Sequence, residues 1–206
     1  MLPSSFTIRS MVAVSSMYPD KAAGYPPFVL IHGAANSAKV WTLWQRELAA
    51  HGWTSYAIDL RGHGQSLPFN LSRTTVDDYA IDVREFARQL SQPPIIMGWS
   101  MGGLIGMKVA SQGLGSACIA LAPSLPAQQL DSSVELRTGE FGPEEYGIVG
   151  DDTENQPTMP DLDSEERRLA LSSLCHESRL ARDPKKARHR YRVNLTSTPH
   201  RDRNSR

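Results

Sequence analysis

The chain alternates short apolar runs with longer amphipathic ones. Phe6 to Tyr18 reads as two strands meeting at a turn that the pattern does not place. Pro27-Phe28-Val29-Leu30-Ile31 is apolar throughout, as in a strand buried on both faces of a parallel sheet. Thr54 to Leu60, Ile95 to Met97 and Ala117 to Ala122 read as further strands. Between them lie helical patterns. Val40 to His51 carries Trp41, Leu43, Trp44 and Leu48, and Thr75 to Leu90 sets Val76, Tyr79, Ala80, Val83, Phe86, Ala87 and Leu90 along one face. Leu104 to Ala110, apolar and dotted with glycine, continues the alternation as a third helix. This order predicts an α/β fold with a mostly parallel sheet flanked by helices.

The junction after Ile95-Ile96-Met97 carries the chemistry. It reads Gly98-Trp99-Ser100-Met101-Gly102, so a strand turns sharply into a helix with one serine at the apex. Side chains two positions either side of that serine would collide, which is why Gly98 and Gly102 fit there. The turn lifts the Ser100 hydroxyl above the sheet edge. It also puts the Met101 N–H at a helix start, where unpaired amides and the helix dipole favour negative charge. A serine hydroxyl is a weak nucleophile until a base takes its proton. Its tetrahedral product carries an oxyanion that backbone amides can stabilise.

Two other strand ends share the pattern of glycine turns. The first is His32-Gly33-Ala34-Ala35; the second is Asp59-Leu60-Arg61-Gly62-His63-Gly64-Gln65-Ser66. In this order and spacing the three segments closely resemble the α/β-hydrolase fold family, over roughly Phe6 to Ser124. The resemblance implies that Ser100 is the nucleophile and that the amides of Met101 and Ala34 form the oxyanion hole. It implies a serine hydrolase of esterase type, acting on a small carboxylic ester without a cofactor. It further implies that an acid and then a histidine follow the serine along the chain.

After Ala122 no run of four or more strongly apolar residues occurs, so the two closing strands of that family pattern are not visible. Asp131 to Glu177 contains 13 acidic and 3 basic residues. Within it, Ser164 to Leu180 reads as a cap-like helix, opened by the capping-box pattern Asp163-Ser164-Glu165-Glu166. Arg179 to Arg206 reverses the charge, with ten Lys/Arg and two acids. Tyr191 to Leu195 is its one strand-like stretch; the polarity of the rest predicts disorder. The expected organisation is a hydrolase core over 1–125, an acidic cap-like segment over 126–178 and a basic tail over 179–206. The change of composition suggests a C-terminally truncated family member, or an altered reading frame. With Ala117–Ala122 left as a sheet edge, self-association is expected to be open to it. The competing reading is a non-catalytic remnant that keeps the elbow without an acid–base pair.

The histidines divide accordingly. The resemblance assigns His32 and His63 to loop structure; His51 ends a helix, where a basic side chain suits the dipole. His176 falls on the cap-like helix, and His189 and His200 fall in the tail. His200 has the chain order that a base requires. Asp131, Asp151, Asp152 and Asp183 all follow Ser100, and nothing selects an acid among them.

Composition fits a soluble cytoplasmic chain. Net charge is zero and the two cysteines, Cys118 in a strand predicted to be buried and Cys175 in a helix, suggest reduced thiols. Met11 to Val14 is too short for a signal-peptide core, and no segment approaches the ~20 apolar residues of a membrane span. Metal-ligand spacing and phosphate loops are absent, and the basic tail lacks the aromatic interleaving of a nucleic-acid surface.

Overall fold

The computed structural model describes residues 5–9, 11–125, 137–148 and 161–182. Strands β1 (Ser5–Arg9) and β2 (Val12–Met17) form an antiparallel hairpin in which Arg9 pairs with Val12. β2 runs antiparallel to β4 (Ser55–Asp59), which lies parallel to β3 (Phe28–Ile31). β3 pairs in turn with β5 (Ile95–Trp99), and β5 with β6 (Ala117–Leu121), both parallel. The sheet order is therefore β1-β2-β4-β3-β5-β6.

The apolar run in β3 is explained by its central place. Val29 and Ile31 enter the core on one face of the sheet, with Ile58, Val83, Phe86, Leu104 and Ile105. Phe28 and Leu30 enter the other, with Trp41, Ala57 and Met97. A strand buried on both sides has no polar positions to spare. Helix α2 (Val76–Ala87) and helix α3 (Met101–Ala110) supply the first face. A 3-10 turn over Ala38–Trp41 and helix α1 (Thr42–Ala50) lie on the second. Thr75 caps α2 reciprocally with Asp78, as a Thr/Asp pair three residues apart can.

The expected elements are present with shifted ends. The pattern over Val40 to His51 divides into the 3-10 turn and α1. Cys118, expected to be buried, is exposed. The reason is position: among the described residues β6 is the last strand of the sheet, and Ala117, Cys118 and Ile119 all face solvent.

The largest departure lies after the acidic segment. Helix α4 (Ser164–Ser172) begins at the expected capping box, with Asp163 and Glu166 bonded reciprocally, but it stops at Ser172 instead of running to Leu180. Leu174, Cys175 and His176 follow without helical structure. Glu177–Ser178 then forms a short strand, β8, antiparallel to β7 (Glu140–Phe141). A single turn of helix, α5 (Arg179–Arg182), closes the described region and buries Ala181 completely. The helix ends because Glu177 has partners inside the protein that a continuous helix would deny it. Tyr191–Leu195 lies outside the described residues.

Candidate active site

Ser100 stands at the carboxyl end of β5 with φ 54° and ψ −119°, a backbone conformation that a residue with a Cβ adopts only under constraint. The constraint is local packing. A methyl group at Gly98 would run into the backbone carbonyl of Gly102, and one at Gly102 would run into the carbonyl oxygens of Ile31 and His32. The elbow can therefore sit against the end of β3 only while both positions lack side chains. Gly102→Ala should cost about 1–3 kcal/mol of stability, because backbone and not a side chain must give way. A denaturation midpoint equal to wild type would contradict that close approach.

The loop after β3 lies beside the elbow. A Cβ at Gly33 would come within 2.7 Å of the Trp99 ring and 3.4 Å of Ser100 Cβ. Ala34 and Ala35 follow, Ala35 in the left-handed region with φ 57°. Among the described residues neither the Ala34 nor the Met101 N–H donates a hydrogen bond to the protein. Met101 is the first residue of α3, so its amide has no intrahelical acceptor.

The polar residues of the segment after β4 each fasten a different element. The Asp59 carboxylate accepts the Ala38 N–H at 2.6 Å and the Gln65 N–H at 2.9 Å. Ser66 Oγ donates to the Asp59 carbonyl at 2.6 Å and accepts the Ala13 N–H at 2.7 Å. Arg61 Nη2 lies 2.7 Å from Asp82 Oδ1, and Arg61 Nε and backbone N–H also bond the Asp82 carboxylate.

The two histidines near the site are committed elsewhere. His32 Nε2 accepts the Leu60 N–H at 3.2 Å, so Nδ1 carries the proton and donates to Gly33 O at 2.8 Å. Burial, together with the nearby His63, lowers its pKa to about 3 and keeps the ring neutral. His63 Nδ1 donates to Arg61 O at 2.9 Å, and Nε2 lies 3.2 Å from Glu177 Oε2. Burial would depress His63, but the Glu177 carboxylate outweighs it and holds the ring above its ordinary value.

Glu177, which the sequence reading did not single out, is wholly buried and is the most connected acid of the region. Oε1 accepts Tyr79 O–H at 2.6 Å and the Ser178 N–H at 2.7 Å; Oε2 accepts the Ala35 N–H at 3.2 Å. Burial alone would raise its pKa, yet His63, Tyr79 and the Ser178 N–H keep it below the usual carboxylate range. Beside it, burial pushes the Cys175 thiol up to about 12, so this cysteine stays neutral and unreactive near pH 7.

Ser100, Met101, Ala34, Gly98 and Gly102 thus come together at the carboxyl ends of the parallel strands. Among the described residues no histidine hydrogen-bonds Ser100 Oγ. His176, expected on a helix, is exposed in the connection after α4. His189, His200, Asp131, Asp151, Asp152 and Asp183 lie outside the described residues. Next to the elbow, Val40, Trp41, Trp44, Trp99 and Leu121 line an apolar cavity of about 280 Å³. No group of three or more described His, Cys, Asp or Glu residues could hold a metal ion, and no described helix is long and apolar enough to cross a membrane.

Comparison with known proteins gives the arrangement relatives. A model described as "Alpha/beta hydrolase family" matches residues 28–202. A pimeloyl-[acyl-carrier protein] methyl ester esterase from Cronobacter sakazakii is 37% identical over 82 residues, which are 40% of this chain and 29% of that esterase. The chain therefore matches under a third of this curated relative's length. Among solved structures, the thioesterase domain from the curacin biosynthetic pathway superposes with a TM-score of 0.62 at 19% identity, covering 83% of this chain and 64% of that one. E-2-(acetamidomethylene)succinate hydrolase gives a TM-score of 0.57 at 19% identity, covering 90% and 71%. At these identities the superpositions speak for the fold alone.

Proposed function

The chain belongs to the alpha/beta hydrolase family, and from that premise we propose that it is a serine hydrolase of esterase type, cleaving a small carboxylic ester through an acyl intermediate on Ser100. The observation that carries this reading is the strained elbow itself. A serine held at φ 54° beside two amides that have no hydrogen-bond acceptor among the described residues is costly to maintain, and such strain clusters at functional positions. In the proposed step Ser100 Oγ attacks the ester carbon while a base takes its proton. The oxyanion settles between the Met101 and Ala34 amides. Collapse expels the leaving alkoxide, which takes up the proton, and water then releases the acid by the reverse route. Of the histidines that follow Ser100 in the chain, His200 is the candidate to test first as that base.

The cavity lined by Val40, Trp41, Trp44, Trp99 and Leu121 carries no charged side chain. It suits a neutral acyl group. In a series of p-nitrophenyl esters, kcat/KM should rise about fourfold per added methylene until the cavity is filled, at ~0.8 kcal/mol for each group buried. A flat series, or a preference for anionic acyl groups, would contradict this placement. Activity that is also absent on acetate and butyrate would count against the esterase reading as a whole.

A second reading is supported by one observation: among the described residues Ser100 Oγ has no imidazole partner. On that reading the chain keeps the elbow as a binding surface, without turnover.

A further inference from the structure

The segment leaving α4 grips the loop that carries Ala34. Cys175 N–H donates to Ala35 O at 3.0 Å, Cys175 Sγ lies 3.0 Å from Asn36 O, and the Ser173 hydroxyl is shared between Asn36 Oδ1 at 2.8 Å and Ala170 O at 2.6 Å. Glu177 Oε2 accepts the Ala35 N–H, so both polar groups of that residue are held by a segment some 140 positions away in sequence. Asn36 Nδ2 closes the loop on itself by donating to Ala34 O at 2.9 Å. Among the described residues the Ala34 N–H is left as the unengaged amide.

Ala35 is not glycine, yet its φ is 57°, a left-handed conformation that is unfavourable for a residue with a Cβ. Something must hold it there. Glu177 is suited to the task because it cannot relax into solvent: it is wholly buried, Tyr79 and Ser178 hold its Oε1, and His63 shares Oε2 with Ala35. We propose that Glu177 is a positioning residue, fixing the Ala35 peptide so that the loop presents the Ala34 N–H beside Ser100. The inference rests on the reading of that amide as an oxyanion donor, and it adds a part that lies outside any acid–base pair. Glu177 does not touch the reacting atoms; it acts through Ala35.

Glu177→Gln tests it. The amide keeps the length of the side chain but offers one acceptor oxygen where several donors converge. The first readout needs no activity: hydrogen exchange of individual backbone amides, followed by NMR. The Ala35 amide should lose about 10- to 100-fold in protection beyond any change in the β3 and β5 amides, as fits loss of a hydrogen bond to a charged acceptor. The second is kinetic. Because an oxyanion donor acts in the transition state, kcat should fall by about 10- to 100-fold while KM stays within about threefold. Glu177→Asp keeps the charge but withdraws it by one methylene; should Glu177→Gln not fold, it carries the same two measurements. Ala35 protection that falls only in step with the sheet amides would overturn the inference, as would unchanged kcat in a variant whose Ala35 amide is exposed. Selective loss at Ala35 in a protein whose wild type hydrolyses no ester would uphold the clasp and discard the esterase reading.

Discussion

Ser100→Ala is expected to abolish ester hydrolysis, with a fall in kcat of roughly 10⁴- to 10⁶-fold, since members of such a catalytic group fail together. The substitution keeps the Cβ and therefore the strained backbone at φ 54°. Folding stability should accordingly stay within about 0.5 kcal/mol of wild type, as for a change that removes only a half-exposed hydroxyl. This combination matters. Loss of activity with an intact denaturation midpoint assigns the chemistry to the hydroxyl; loss of both would implicate the fold. Hydrolysis that persists unchanged in Ser100→Ala contradicts the assignment outright.

The second large effect is on stability. Asp82 is 4% exposed, and its carboxylate is bonded by the side chain and the backbone N–H of Arg61. Burial already holds Asp82 above the usual carboxylate range in spite of that partner. Arg61→Ala removes the guanidinium and leaves an uncompensated buried charge, at an expected cost of about 3–5 kcal/mol near neutral pH. The stacking of Arg61 over Phe69, 5.3 Å from the ring centroid, is lost as well. The sign of the pH dependence follows. In the variant the folded-state pKa of Asp82 should rise further above its unfolded value, so the penalty is full at high pH and shrinks as falling pH protonates the group. Replacing both residues by apolar ones should recover much of the loss. Denaturation midpoints of wild type, Arg61→Ala and the double variant at two pH values check this; a deficit independent of pH would contradict it.

Much of this architecture is legible in the sequence because its signals are local. The apolar run at Phe28–Ile31 marks a strand buried on both faces, and Gly98 and Gly102 mark a backbone approach that no side chain allows. The capping box at Asp163 places the start of α4 correctly for the same reason. Where α4 stops is not local. Leu171 and Leu174 suggest a helical face that continues toward Leu180, and Glu177 falls three residues after Leu174, on that same face. A lone acid on an apolar stripe was the available sign that the stripe ends there. Its partners, His63, Tyr79 and Ala35, lie 98 or more positions away in sequence, beyond the reach of any periodicity. The motif after β4 was readable as a pattern, whereas the separate tasks of Asp59, Arg61 and His63 become visible only once the elements they join are in place. Cys118 shows the converse: the apolar run marks its strand, but place at the edge of the sheet among the described residues, and not composition, sets its exposure.

The central claim, that Ser100 is an activated nucleophile, is met most directly by intact mass after incubation with a fluorophosphonate, on wild type and on Ser100→Ala. A single adduct on wild type, mapped to the peptide containing Ser100 and absent from the variant, is the predicted result. It would require a base within reach of the hydroxyl, and slower labelling of His200→Ala would then identify it. No adduct on a folded wild-type chain would contradict the claim, leaving an elbow that binds but does not react.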